Sequence, residues 1–64
     1  MASVETNSRK IVARLQREGW IKVGGTKHEK YEHRQKPGVL IVVPRHTKLS
    51  PGVARFVAKK AGWL

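Results

Sequence analysis

Of the three histidines in this 64-residue chain, His28 stands inside a run of glycine and lysine, Gly24-Gly25-Thr26-Lys27-His28-Glu29-Lys30-Tyr31. An unperturbed imidazole both takes and returns a proton near neutrality, and the flanking cations suit a substrate built of phosphates. Nothing else in the chain combines reactivity and positive charge so locally. The other two histidines, His33 and His46, stand at spacings from His28 that no common metal motif uses, and the few carboxylates are dispersed, so no metal site is expected. No P-loop, dinucleotide fingerprint or Ser-His-Asp arrangement is present, which removes energy-coupled and acyl-transfer chemistry.

Charge agrees with a polyanionic partner. Fourteen Lys and Arg stand against four Asp and Glu, giving a formal net charge of +10. A field of that size attracts nucleic acid, anionic lipid or an acidic protein. Membrane binding is disfavoured, because neither expected helix has the broad apolar face with aromatic anchors of an interfacial helix. The N-terminus lacks an apolar signal segment and the longest apolar run, Val39 to Val43, is too short to span a bilayer, so a soluble, cytoplasmic protein is expected. A chain this short buries only about 60% of its unfolded surface, which allows one small core. Without cysteine, that core or a partner must supply the stability.

The elements that must position His28 follow from periodicity. Residues 1–6 carry none and read as a flexible tail, leaving 7–64 as a single domain. From an N-cap at Asn7 or Ser8, Ile11, Val12 and Leu15 form the apolar side of a helix that Gly19 stops. Trp20-Ile21-Lys22-Val23 alternates as a first strand, with Trp20 expected in the core, and Gly24-Gly25 signals a tight turn. A phosphate cradle is the weaker reading of that pair, since no helix follows it.

A second strand over about 27–33 places His28, Lys30 and Glu32 on one face and Glu29, Tyr31 and His33 on the other. If Tyr31 packs under the helices, His28 must look outward. Pro37-Gly38 turns the chain into a third strand, Val39 to Val43, whose unbroken aliphatic character suggests a central position covered on both faces. Pro44 ends it. Ser50-Pro51 then opens a second helix with Val53, Phe56, Val57 and Ala61 as its apolar stripe and Gly62 as its stop. The expected fold is α+β: two helices on one face of a three-stranded antiparallel sheet, in the order α-β-β-β-α.

At this level the residues resemble a known family. The hairpin Gly25 to Tyr31, the strand end Val43-Pro44-Arg45-His46 and the closing helix Ser50 to Gly62 look like the HicA family of toxin mRNA interferases. The resemblance spans nearly the whole chain. It implies a fold like the double-stranded RNA-binding domain, a catalytic histidine at His28, cleavage of messenger RNA, and a tight complex with a HicB-type antitoxin that covers the His28 face. Many members read Gly-Ser-His-His before the aromatic; here Lys27 occupies the serine position and Glu29 that of the second histidine.

Such a site needs no cofactor: a base removes a 2′-hydroxyl proton, the oxygen attacks the adjacent phosphorus, and cations stabilise the transition state. His28 is the candidate base. Lys30, on its strand face, and Lys27, from the turn, are candidate phosphate contacts, supported by the Gly24, Gly25 and Thr26 turn. Arg45 offers a bidentate guanidinium from the neighbouring strand end, and His46 is either a second proton donor or a solvated turn cap. Lys22, Lys48, Arg55 and Lys59 extend the cationic set. Arg55, Lys59 and Lys60 could track RNA, face an acidic antitoxin or be a solvated helix face, and Trp63 could be a partner contact or a lid on the core. Two readings compete with the nuclease: a non-catalytic double-stranded RNA-binding module, which recognises shape and backbone without a histidine, and a degenerate relative that only binds its antitoxin.

Overall fold

The computed structural model describes residues 4–25 and 27–64; Thr26, expected in the turn that supports His28, lies outside them. Helix α1 spans Ser8–Arg17 and is capped by Asn7, whose Oδ1 accepts the backbone N–H of Lys10 at 3.2 Å. This satisfies one of the orphan donors of the first turn. Strands β1 (Ile21–Gly24), β2 (His28–Glu32) and β3 (Leu40–Pro44) follow, then helix α2 (Pro51–Ala61), with Ser50 as its N-cap and Gly62 in the left-handed conformation at its end. The α-β-β-β-α order is the one the sequence predicts.

The sheet is antiparallel with the order β1-β2-β3, so β2 is central and β3 is an edge. This corrects the expectation of a central, doubly covered third strand. Ile41 and Val43 are buried while Val42 between them is exposed. Both helices cover one sheet face only, so the aliphatic run supplies core to that face and leaves its alternate residues uncovered. In β2, Tyr31 faces the core whereas His28, Lys30 and Glu32 are exposed, as period-two alternation requires.

Ile11, Leu15, Trp20, Tyr31, Ile41, Val43, Leu49 and Val57 build the core with Ala54 and Ala61 of α2. The buried stripe of α2 is Ala54, Val57, Ala58 and Ala61: Val57 and Ala61 are as expected, whereas Val53 and Phe56 are 37% and 60% exposed and Ala54 and Ala58 are buried instead. Small alanines let the helix backbone lie close over β3, where Val53 and Phe56 would hold it away. His33, just past the end of β2, has a structural task. Its Nδ1 accepts the Gln35 N–H at 3.0 Å, its Nε2 meets the Glu18 carbonyl at 2.8 Å, and its ring lies edge-on to Trp20. Trp63 is half-buried against the core, and its indole N–H donates to Glu18 while the Arg14 guanidinium lies 4.2 Å above the ring.

The described part of the N-terminal segment makes contacts with the rest of the domain. Val4 packs on the core, and the Thr6 carbonyl accepts the Leu49 N–H at 2.8 Å. One residue further on, Asn7 forms a strand-like bridge with Lys48, and the Ser8 N–H reaches the Thr47 carbonyl at 2.9 Å. The loop after β3 is thereby stapled to the start of α1.

Candidate functional site

His28 is the first residue of β2 and lies opposite Pro44 of β3 in the register. Its position at the rim follows from the turn before it. Gly25 has φ +121°, and a Cβ there would collide with the His28 carbonyl oxygen. Only glycine therefore permits this approach of turn to strand. Gly24 is open, with nothing within 4 Å of the place a Cβ would take. A bulge in β1 between Lys22 and Gly24 adds the twist that starts the turn.

Gly25, Lys27, His28 and Lys30 line one shallow depression, and the three side chains with functional groups are all exposed or partly so. An accessible imidazole in one depression with two lysines can exchange a proton with a bound group while the lysines neutralise an anion. Lys30 does share the sheet face of His28, as the alternation predicts.

Arg45 and His46 go elsewhere. Although Arg45 follows Pro44, the register partner of His28, its side chain and that of His46 line a different cleft of about 440 Å³ with Ser8, Arg9, Gln16, Glu29 and Thr47. Arg9 has no counterpart among the residues singled out from sequence. The only signal for it lies in the stapling of residues 47–49 to the start of α1, a long-range pairing that no local pattern encodes. Lys22 opposes Tyr31 in the register and ion-pairs with Glu29 at 3.6 Å, which puts it on the helix side of the sheet. Lys48 is exposed in the stapled loop, and Arg55 and Lys59 are exposed on α2, in neither depression. Lys60 is committed structurally: its Nζ donates to the Leu40 carbonyl at 3.0 Å and lies over the Phe56 ring.

Beneath Arg45, the Tyr31 hydroxyl donates to Glu29 at 2.7 Å. That hydrogen bond, with Lys22 and Arg45 nearby, holds the Glu29 carboxyl below the usual range against the opposing effect of burial. Burial and the adjacent carboxylate push the Tyr31 phenol upward. Neither group is poised to exchange protons at neutral pH; both are structural. Among the described residues no group of three His, Asp or Glu side chains converges as a metal-ligand set. No helix among them is long and apolar enough to cross a membrane.

The fold and its surface define a small basic α+β domain with a histidine presented among lysines at the rim of an open sheet face. A scan against protein families matches residues 8–63 to the HicA toxin of bacterial toxin-antitoxin systems. A search of the curated proteins returns no match. The chain belongs to the HicA toxin family, and its role is that of the toxin in a toxin-antitoxin pair, with an antitoxin as its partner.

Proposed function

We propose that the protein is a metal-independent endoribonuclease that cuts messenger RNA and thereby inhibits translation, with His28 as its general base. The observation that carries this reading is the exposed imidazole of His28 in one depression with Lys27 and Lys30. His28 takes the proton of a ribose 2′-hydroxyl, whose oxygen forms a bond to the adjacent phosphorus as the bond to the 5′-oxygen breaks. The leaving oxygen takes a proton from solvent, the imidazolium returns its own, and a 2′,3′-cyclic phosphate remains. Lys27 and Lys30 offset the charge that develops on the phosphoryl oxygens. Positioned proton transfer supplies about 10²- to 10⁴-fold, and the remainder comes from charge stabilisation and alignment.

A HicB-type antitoxin held over the His28 face would silence this chemistry, and an acidic surface on it would offset the +10 charge of the toxin in a hetero-oligomer. The test uses purified protein, an all-ribose strand and its all-deoxy counterpart, with EDTA present throughout. Cleavage of the ribose strand alone, lost in His28→Ala, is the expected result. Cutting of the deoxy strand, a requirement for added metal, or undiminished cleavage by the variant refutes the assignment.

A further inference from the structure

We propose that the cleft between α1 and the loop after β3 is a second binding subsite for RNA phosphate, separate from the His28 depression and built on Arg9 and Arg45. Its ligand rests on the nuclease reading above; its construction does not. Three groups able to carry positive charge, Arg9, Arg45 and His46, line a cleft of about 440 Å³ together with the hydroxyl residues Ser8 and Thr47. Guanidinium groups bind phosphate through paired N–H donors, which a lysine cannot offer.

The cleft is also fixed in shape. Its two walls are one side of α1, from Ser8 to Gln16, and residues 43–47, and the Ser8-to-Thr47 and Leu49-to-Thr6 backbone hydrogen bonds tie the start of α1 to the loop after β3. The backbone segments that carry Arg9 and Arg45 are therefore held together before any ligand arrives, which leaves only the two side chains to be ordered on binding. Glu29, the acidic residue of the lining, accepts from Tyr31 and pairs with Lys22, so its charge is largely balanced within the fold.

Topology connects this cleft with the proposed reaction centre. His28 lies opposite Pro44, and Arg45 is the next residue, so both depressions sit at the same end of the sheet but open on opposite sides of it. A single RNA strand reaches both by turning over the Pro44 end. A duplex, stiff over many base pairs, does not turn so sharply. The cleft thus holds the backbone of a neighbouring nucleotide while His28 acts on the scissile one.

The probe is a short 2′-O-methyl oligoribonucleotide, which keeps the phosphates but lacks the attacking hydroxyl, with Kd read by fluorescence anisotropy across a salt series. Each lost phosphate contact lowers the magnitude of the log Kd against log salt slope by about 0.7 for a single strand. Arg9→Ala and Arg45→Ala should each show that decrease, whereas Arg17→Ala, at the far end of α1, should match wild type. Arg9→Lys should keep the slope and bind more weakly, which separates lost bidentate geometry from lost folding. Wild-type slopes in both alanine variants, or equal competition by a 2′-O-methyl duplex, overturn the subsite. Unchanged RNA slopes with weakened binding to the antitoxin also overturn it, and make the cleft a protein interface. Cleavage of an all-ribose strand is read in parallel. Its failure alongside the stated slope changes refutes the nuclease and upholds the subsite, and its success alongside unchanged slopes does the reverse.

Discussion

Tyr31 donates its hydroxyl hydrogen to Oε1 of Glu29, two residues earlier on the same face of β2, at 2.7 Å. The Tyr31 side chain is buried in the core, and its hydroxyl meets Glu29, which lines the α1 cleft. One side chain thus serves the apolar interior and organises a charged surface, because Glu29 in turn holds Lys22 at 3.6 Å. Glu29 replaces the second histidine frequent in the family motif. Here that position carries an ionised, internally paired carboxylate rather than a proton carrier.

Tyr31→Phe should therefore lower stability at pH 7 by about 1.5–3 kcal/mol, the typical net worth of a hydrogen bond to a charged group. The Glu29 carboxyl is depressed in the folded state, so its contribution is fully present above the ordinary glutamate range and fades as pH falls through the lowered value. The variant should then lose less stability than wild type on acidification below about pH 4.5, the ordinary value for a glutamate. Urea titrations of both proteins at neutral and acidic pH measure this; parallel pH profiles would refute the role given to the pair.

Much of this architecture is legible locally. The Asn7 and Ser50 caps, the Gly62 stop and the alternation that turns His28 outward and Tyr31 inward depend on a few adjacent residues. What local patterns do not encode is which of two apolar faces a helix buries, or where a loop docks. Val53, Phe56 and Val57 make as good a stripe as Ala54, Val57 and Ala58 until the spacing to β3 selects the smaller side chains. Likewise the Val39 to Val43 run is apolar enough for a central strand, and only the meander order makes it an edge. The division of the cationic candidates has the same origin: Arg45 is adjacent to the site in register but turns to the other side with the stapled loop.

Gly25 and Gly24, adjacent and alike in sequence, should respond oppositely to alanine. At Gly25 the added Cβ would run into the His28 carbonyl at φ +121°, so the turn and the start of β2 must move. A loss of about 1–3 kcal/mol, typical of a strained backbone position, and reduced cleavage are expected for Gly25→Ala. Gly24→Ala, with open space around it, should fall within about 0.5 kcal/mol of wild type. Thermal melts of the two variants decide; equal destabilisation would mean that the turn is not shaped by the Gly25 contact.

Lys30 and Lys22 offer a comparison between the two sides of the sheet. Lys30 shares the His28 depression, whereas Lys22 pairs with Glu29 on the helix side. Lys30→Ala should slow RNA cleavage by about tenfold or more, the scale of one lost charge-assisted contact, with stability unchanged. Lys22→Ala should leave cleavage within about twofold and cost less than about 1 kcal/mol, as an exposed ion pair does. Initial rates on an all-ribose strand separate them, and a larger rate loss in Lys22→Ala would place the reacting phosphate on the wrong side of the sheet.

The orientation of α2 is testable at two adjacent residues. Val57 is 1% exposed in the core and Phe56 is 60% exposed beneath Lys60. Removing two buried methyl groups in Val57→Ala forfeits about 2 kcal/mol of transfer and cavity energy. Phe56→Ala removes a larger side chain but one already in water, leaving at most the contact with the Lys60 ammonium, worth about 0.5–1 kcal/mol at an exposed site. The smaller truncation should therefore be the more damaging one in chemical denaturation. The reverse order would mean that Phe56, not the alanine stripe, faces the sheet, and that α2 sits rotated from the packing described above.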